Sequence, residues 1–338
     1  MLAGFGLCLG FLTVLAIVFI VASGNTMRTV VKPAAPKFEE SVIVDARKEV
    51  KDPDAKIALI SLRGIISSAE PGTMGDSMVE DLKLQLEQAA TDEKVKAVVL
   101  YVDSPGGEVT ASDVIYNAVR KVRDGGLDPR NPKAKKPVVV YMGSLAASGG
   151  YYVSCAGTYL IANETTLTGS IGVIMQSLNY EHLFDKVGLE TITFKSGQFK
   201  DMLSGSRELT QEEKDYVQKL VMETYGKFVG IVAHERKINE DELRHGIADG
   251  RVISGKDAKA FNLINATGEL EDAYAKAMEL GGVKGVAVIR YESPFKFGRL
   301  LRLLGQSEKT NVEVNLTRAL TPKIEAGRLY FLPSFYAP

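Results

Sequence analysis

Apolar positions along this chain fall into two alternating rhythms. "KIALISLRG" (56–64) groups Ile57, Leu59 and Ile60 as a buried strand would. "DSMVEDLKLQLEQAATD" (76–92) then sets Met78, Leu82, Leu86 and Ala89 on one helical face. "VKAVVLYV" (95–102) is apolar on both faces, which suits a parallel strand covered by helices on either side. In "TASDVIYNAVRKVRD" (110–124), Thr110 and Asp113 have capping-box spacing and Val114, Ala118 and Val122 form a stripe. "PVVVYM" (137–142) is a third strand, and a long helix starts in "TQEEKDYVQKLVMETYGKF" (210–228) with Thr210 and Glu213 as its cap. "SGKDAKAFNLI" (254–264) and "GELEDAYAKAMEL" (268–280) read as helices and "VAVIRY" (286–291) as a last strand. Strand–helix alternation of this kind predicts an α/β domain with parallel strands. There is no internal repeat.

The ends break the rhythm. From Leu2 to Ser23 there is no charge, and Arg28 is the first charged residue. About 20 apolar residues span a bilayer core as a helix. A cleaved signal peptide would have a basic start and a shorter apolar core. Residues 1–24 are therefore expected to be a retained transmembrane anchor. Residues 25–55, with Pro33, Pro36, Pro53 and "DARKEVKDPDAK", are expected to be a linker. The folded domain is expected over 56–292 and a tail over 293–338. The tail opens with the basic amphipathic "SPFKFGRLLRLLGQ", suited to lipid headgroups or to a neighbouring subunit.

Bulk numbers change this picture little. The chain has 338 residues, 25% of them charged, and a formal net charge of −1, so it lacks the basic footprint of a nucleic-acid binder. Cys8 lies in the apolar segment and Cys155 in the domain, which leaves no internal disulfide and no zinc spacing.

Candidate chemistry sits after the second and third strands. "YVDSPGG" (101–107) runs a strand into a proline and two glycines, a sharp turn with exposed backbone N–H groups. Between Gly143 and Gly150 only Leu145 is larger than serine, and Ser148 lies in the middle. In a parallel sheet both turns emerge at the same carboxyl edge. The amides of Gly107 and Gly149 can then converge on one oxygen as an oxyanion hole. A serine nucleophile needs a base, and the three histidines, His182, His234 and His245, form no recognisable triad. Taken singly, a serine between glycines is a close-packing device and a lysine is a solvated surface residue. Asp103 and Ser104 read as turn-shaping residues, and Glu108 as helix-start chemistry.

Together, "DSPGG", "AASGGYY", "TGSIGV" (168–173), "SGQFKD" (196–201) and "GRVISGKDAKAFNLI" (250–264) occur in the order and spacing of the bacterial signal peptide peptidase A family, within the ClpP/crotonase superfamily. The resemblance covers roughly residues 56–292 and extends to the preceding anchor. It implies a spiral of ββα units and a membrane-anchored serine endopeptidase with a Ser-Lys dyad that degrades cleaved signal peptides. By the motif matches, Ser148 is the nucleophile, Lys200 the general base and Ser170 a residue that orients the lysine; Gly107 and Gly149 supply the oxyanion donors. Lys195 misses the motif position. The resemblance also implies no cofactor, apolar peptide substrates, contact with the bilayer, and a homo-oligomer in which adjacent protomers share each site. It places the domain outside the cytoplasm, on a single-pass anchor in the bacterial inner membrane. The basic residues Arg28 and Lys32 after the anchor would by themselves favour the opposite orientation.

A lysine in water titrates near ~10.4, so one that works as a base near neutrality has its ammonium destabilised by roughly 4–5 kcal/mol. Burial supplies shifts of that size. Phe199 and Met202 flank Lys200 and suit a partly dry site. Two rival readings remain: acyl-CoA chemistry of the crotonase type, which uses the same paired-glycine hole, and a catalytically idle membrane scaffold or quality-control factor.

Overall fold

Side-chain alternation along each strand decides which face of a sheet a residue serves, and here both faces are apolar. The computed structural model describes residues 38–45, 53–68, 77–292, 329–331 and 333. Its strands are β1 (Glu39–Val44), β2 (Lys56–Arg63), β3 (Val95–Ser104), β4 (Gly107–Glu108), β5 (Val138–Ala147), β6 (Tyr159–Ala162), β7 (Leu167–Gly169), β8 (Val252–Ser254), β9 (Ala266–Thr267), β10 (Ala287–Glu292) and β11 (Tyr330–Phe331). Its helices are α1 (Met78–Thr91), α2 (Val109–Asp124), α3 (Gly149–Ser154), α4 (Glu181–Val187), α5 (Gln211–Arg236), α6 (Glu240–His245), α7 (Gly255–Ala260) and α8 (Leu270–Leu280).

The main sheet runs β1-β10-β2-β3-β5-β6-β9, parallel throughout except where β1 meets β10. Ala58, Ile60, Val98, Leu100, Val138 and Val140 face one core with residues of α1, α2, α3 and α5. Ile57, Leu59, Ala97, Val99 and Val139 face the other, under Ala273, Tyr274 and Ala277 of α8. This is the helix-covered parallel sheet that the doubly apolar strands require. β5 forks: Val139–Met142 pair with β6, while Leu145–Ala147 pair with β7, which is antiparallel to β8. At the fork Ala146 still pairs with Ser104 of β3, and the last residue of β5 runs straight into α3.

Local signals held where the cap lies next to the first turn. Thr210 Oγ1 accepts from Glu213 N and the Glu213 carboxylate accepts from Thr210 N, completing the capping box of α5. The Thr110/Asp113 box does not form. α2 starts at Val109, which puts Thr110 inside the first turn, and Asp113 instead accepts from the Tyr152 hydroxyl at 2.6 Å. The buried stripe of α2 runs through Ala111, Ile115, Ala118 and Val122, and Val114, one position around the helix, is 37% exposed. α7 stops at Ala260, short of the helix expected through Ile264, because Asn262 turns left-handed (φ 58°) and sends Leu263 and Ile264 into the core.

Two stretches outside 56–292 also join the domain. Glu39–Val44, within the expected linker, forms β1 on the open edge of β10, where unpaired backbone groups offer a ladder. Residues 330–331 of the tail form β11 against β4. The apolar segment from Leu2 to Ser23 and the basic stretch of the tail lie outside the described residues. Among the described residues no helix is long and apolar enough to cross a membrane.

Candidate active site

Ser148 stands between the last residue of β5 and the first of α3. Its backbone is at φ 52°, ψ −114°, a conformation that L-residues reach only under strain. The turn is held from both sides: Ser148 N donates to Gly169 O at 2.8 Å, and Ser148 O accepts from Tyr152 N at 2.8 Å. Its side chain is fully buried, and Oγ has no hydrogen-bond partner. Buried hydroxyls ordinarily find a partner, so this one stands apart.

The Pro-Gly-Gly turn after β3 meets this serine. Gly106 is at φ 102°, and a Cβ there would strike the Phe331 carbonyl and come within 2.5 Å of Gly149 N. A Cβ on Gly149 would lie 3.1 Å from Gly107 N. The backbones of Gly106 and Gly107 therefore pack directly against that of Gly149, the residue after Ser148. The first N–H groups of a helix have no partner within it, so the start of α3 offers donors there. Ser104 Oγ accepts from Gly106 N at 3.1 Å and Asp103 Oδ1 from Leu145 N at 3.2 Å, so both residues shape the turns.

An extended segment lies along this edge. β11 pairs antiparallel with β4, Tyr330 opposite Glu108 and Phe331 opposite Gly107. Val109 N donates to Leu329 O, and Tyr330 exchanges hydrogen bonds with Ile174 on its other side. The Phe331 ring is fully buried, 4.9 Å from that of Tyr152 and 4.8 Å from that of Phe228. No local signal in the sequence pointed to this strand, because its partner lies more than two hundred residues away.

Ser170 follows β7 directly, is buried at φ 50°, and donates its N–H to Arg251 O. The preceding residue's carbonyl holds Ser148 N, so Ser170 belongs to the same corner. Lys200 does not. It lies exposed in a turn whose backbone closes from Lys200 N to Gly197 O, and its ammonium is not within hydrogen-bond reach of Ser148 Oγ in the same chain. Phe199 leans on Tyr216 of α5, 5.6 Å between rings, rather than walling in the lysine. From Gly172 to Ser204 no residue is buried, and this arm exposes Leu178, Leu183, Val187, Leu189, Ile192 and Phe194. Its root is tied by charge: Arg207 bridges Asp201 and Glu213, and Lys195 joins Asp201 at 2.9 Å. Lys195 is thus a structural cation.

Other titratable groups add nothing to the corner. All three histidines are exposed. Cys155 is buried, and burial pushes its thiol up to about 12, which keeps it protonated and inert. Among the described residues no cluster of His, Cys, Asp or Glu could hold a metal ion. Glu108 occupies the position before α2 but makes no side-chain cap; its carboxylate turns instead to Ser67 and Ser68.

The chain matches the model of peptidase family S49 over residues 130–284 and that of Clp protease over 61–168. The first match contains Ser148, Ser170 and Lys200; the second contains both glycine turns. A provisionally named protease of Methanocaldococcus jannaschii is 40% identical over 61% of this chain and 63% of its own. Protease 4 of Salmonella typhi is 36% identical over 70% of this chain, which spans only 36% of that longer protein. A protein of Enterococcus faecium, provisionally named signal peptide peptidase SppA, is 33% identical over 70% of this chain and 67% of its own.

Proposed function

Because the chain belongs to peptidase family S49, we propose that it is a membrane-anchored serine endopeptidase whose base is a lysine from a neighbouring copy. Ser148 Oγ attacks the peptide carbonyl carbon while Lys200 Nζ of the adjacent protomer takes its proton. The Gly107 and Gly149 amides receive the charge that develops on the carbonyl oxygen. The ammonium then protonates the leaving amine, and water, deprotonated by the same lysine, releases the acyl group from Ser148. Ser170 orients the lysine from the Ser148 corner. The fold in this reading is the ClpP/crotonase spiral, and Leu2–Ser23 is the anchor. Substrates are extended apolar peptides, with signal peptides left in the membrane as the class.

The observation that carries this reading is the buried Ser148 hydroxyl, strained, unpartnered and beside two converging glycine turns. Two others support it. β11, an extended segment of this chain, pairs with β4 next to Gly107, the kind of main-chain pairing an extended peptide would make and a thioester would not. The arm that bears Lys200 buries nothing on its own chain and exposes apolar side chains, as an element built to meet another copy would. Such a contact would also exclude water from the lysine.

Mixing two inactive variants tests the reading. Ser148→Ala and Lys200→Ala should each lose cleavage of a leucine-rich peptide by ~10³-fold or more. Co-expressed, they should regain about a quarter of wild-type activity, because a quarter of sites in randomly mixed oligomers pair an intact serine with an intact lysine. Full activity in Ser148→Ala would remove the nucleophile, and no recovery on mixing would remove the sharing between copies. Fluorophosphonate labelling lost in Ser148→Ala excludes an idle scaffold, and tight CoA binding would revive the acyl-CoA alternative.

A further inference from the structure

Gly107 carries an oxyanion donor in the reading above, yet it has no side chain with which to fix its own orientation. Its position is set by β11 on one side and, on the other, by the segment that follows β2. Ile66 N donates to Gly106 O at 2.8 Å and Ile66 O accepts from Glu108 N at 2.8 Å, so the peptide groups on both sides of Gly107 are pinned by one residue. The approach is close enough that a Cβ on Gly107 would strike the Ile66 carbonyl and lie 2.6 Å from Ile66 N.

The residues that follow Ile66 are held in turn by Glu108. Glu108 as a whole is 8% exposed. Glu108 Oε1 accepts from Ser67 Oγ at 3.1 Å, and Oε2 accepts from Ser68 N at 3.3 Å and from Ser68 Oγ. Hydrogen bonds to a carboxylate are about twice as strong as those between neutral groups. A buried carboxylate at a helix N-terminus would ordinarily serve the helix. Here the helix start gains no side-chain bond from it, and the carboxylate is directed to the segment that follows Ile66.

We propose that Glu108 is a positioning residue for the oxyanion hole: it clamps Ser67 and Ser68, keeps Ile66 seated under Gly107, and so aims the Gly107 N–H at the developing oxyanion. The proposal rests on the Ser148 reading. Loss of the clamp lets the 66–68 segment and Gly107 shift together, which weakens the transition state more than the bound substrate. A merely structural carboxylate would lower stability without that asymmetry.

The test uses the full-length protein in detergent, with kcat expressed per active site titrated by a fluorophosphonate. Removing one oxyanion donor outright costs ~10²–10³ in kcat, so Glu108→Ala, which leaves the donor present but misaligned, should lose ~10–100-fold in kcat with KM within ~3-fold. Glu108→Gln retains an acceptor for Ser68 and should keep kcat within ~5-fold of wild type. Affinity for a peptide boronate, which places an oxygen in the hole, should fall in step with kcat/KM, and affinity for an uncleaved product peptide should not. Ser67→Ala/Ser68→Ala removes both hydroxyl donors to the carboxylate, leaving only the Ser68 N–H, and should shift kcat in the same direction as Glu108→Ala, which keeps the test open if Glu108→Ala folds poorly. Unchanged kcat per site in both clamp variants, or equal losses in boronate and product affinity, would overturn the proposal. Ser148→Ala that still cleaves would instead overturn the reading beneath it, so the two failures are distinct.

Discussion

Ser148 holds a backbone conformation that glycine adopts freely and other residues do not, and its hydroxyl is buried without a partner. Strain of this kind costs about 1–3 kcal/mol and an unsatisfied hydroxyl a similar amount. Glycine adds back roughly 0.5–1 kcal/mol of chain entropy. Ser148→Gly should therefore be inactive yet more stable by about 1 kcal/mol or more, read from urea unfolding of the protein. Equal or lower stability would mean that the site stores no strain. Gly106 is the opposite case. Gly106→Ala drives a methyl into the Phe331 carbonyl and the Gly149 amide at φ 102°, so it should destabilise by at least ~1 kcal/mol and abolish fluorophosphonate labelling.

At the level of elements, the arm bearing Lys200 is tethered by charge rather than by a core. Arg207 beside Glu213 brings that carboxyl down to about 2, and Arg207 with Lys195 holds Asp201 well below the usual carboxylate range. Both carboxyls are depressed in the folded protein. Their contribution is present above the unfolded carboxylate pKa of ~4 and is lost as pH falls through the folded value. Pepsin should accordingly cut within 195–213 before any site in β3 or β5 as pH drops from about 4 to 2. Arg207→Met should bring the same cleavage on at the upper end of that window. First cuts in the central strands would refute the tether. The capping box of α5 was legible because Thr210 and Glu213 are three residues apart, and a single turn of backbone brings them together. The start of α2 was misread because Thr110 and Asp113 have the same spacing, but Glu108, paired with β11, takes the position before the helix and the helix starts two residues earlier, at Val109. A spacing rule registers neighbours along the chain and is blind to such a pairing.

For the whole molecule, the exposed apolar arm carries the expectation of assembly. Ile192 and Phe194 are 72% and 95% exposed, so Ile192→Asp and Phe194→Asp leave the domain core untouched. The double variant should keep its circular dichroism and unfolding midpoint, sediment as a smaller species than wild type, and lose peptide cleavage. A variant that stays assembled and active would show that this face meets no second copy.

By itself the sequence determined whatever short-range chemistry governs. The doubly apolar strands specified a parallel sheet covered on both faces, and the Pro-Gly-Gly and small-residue turns specified two sharp corners at its carboxyl edge. Motif order added the family and singled out Ser148, Ser170 and Lys200. Only the tertiary structure decided what distant segments do to one another. It brought Gly106 within touching distance of Gly149, laid β11 along β4, turned Glu108 away from its helix toward Ser67 and Ser68, and left Lys200 in solvent, beyond hydrogen-bond reach of the serine it would serve. The physical reason is that periodicity, caps and turns depend on residues within a few positions of each other. A contact across forty or two hundred residues depends on how whole elements pack, and leaves no mark in local spacing.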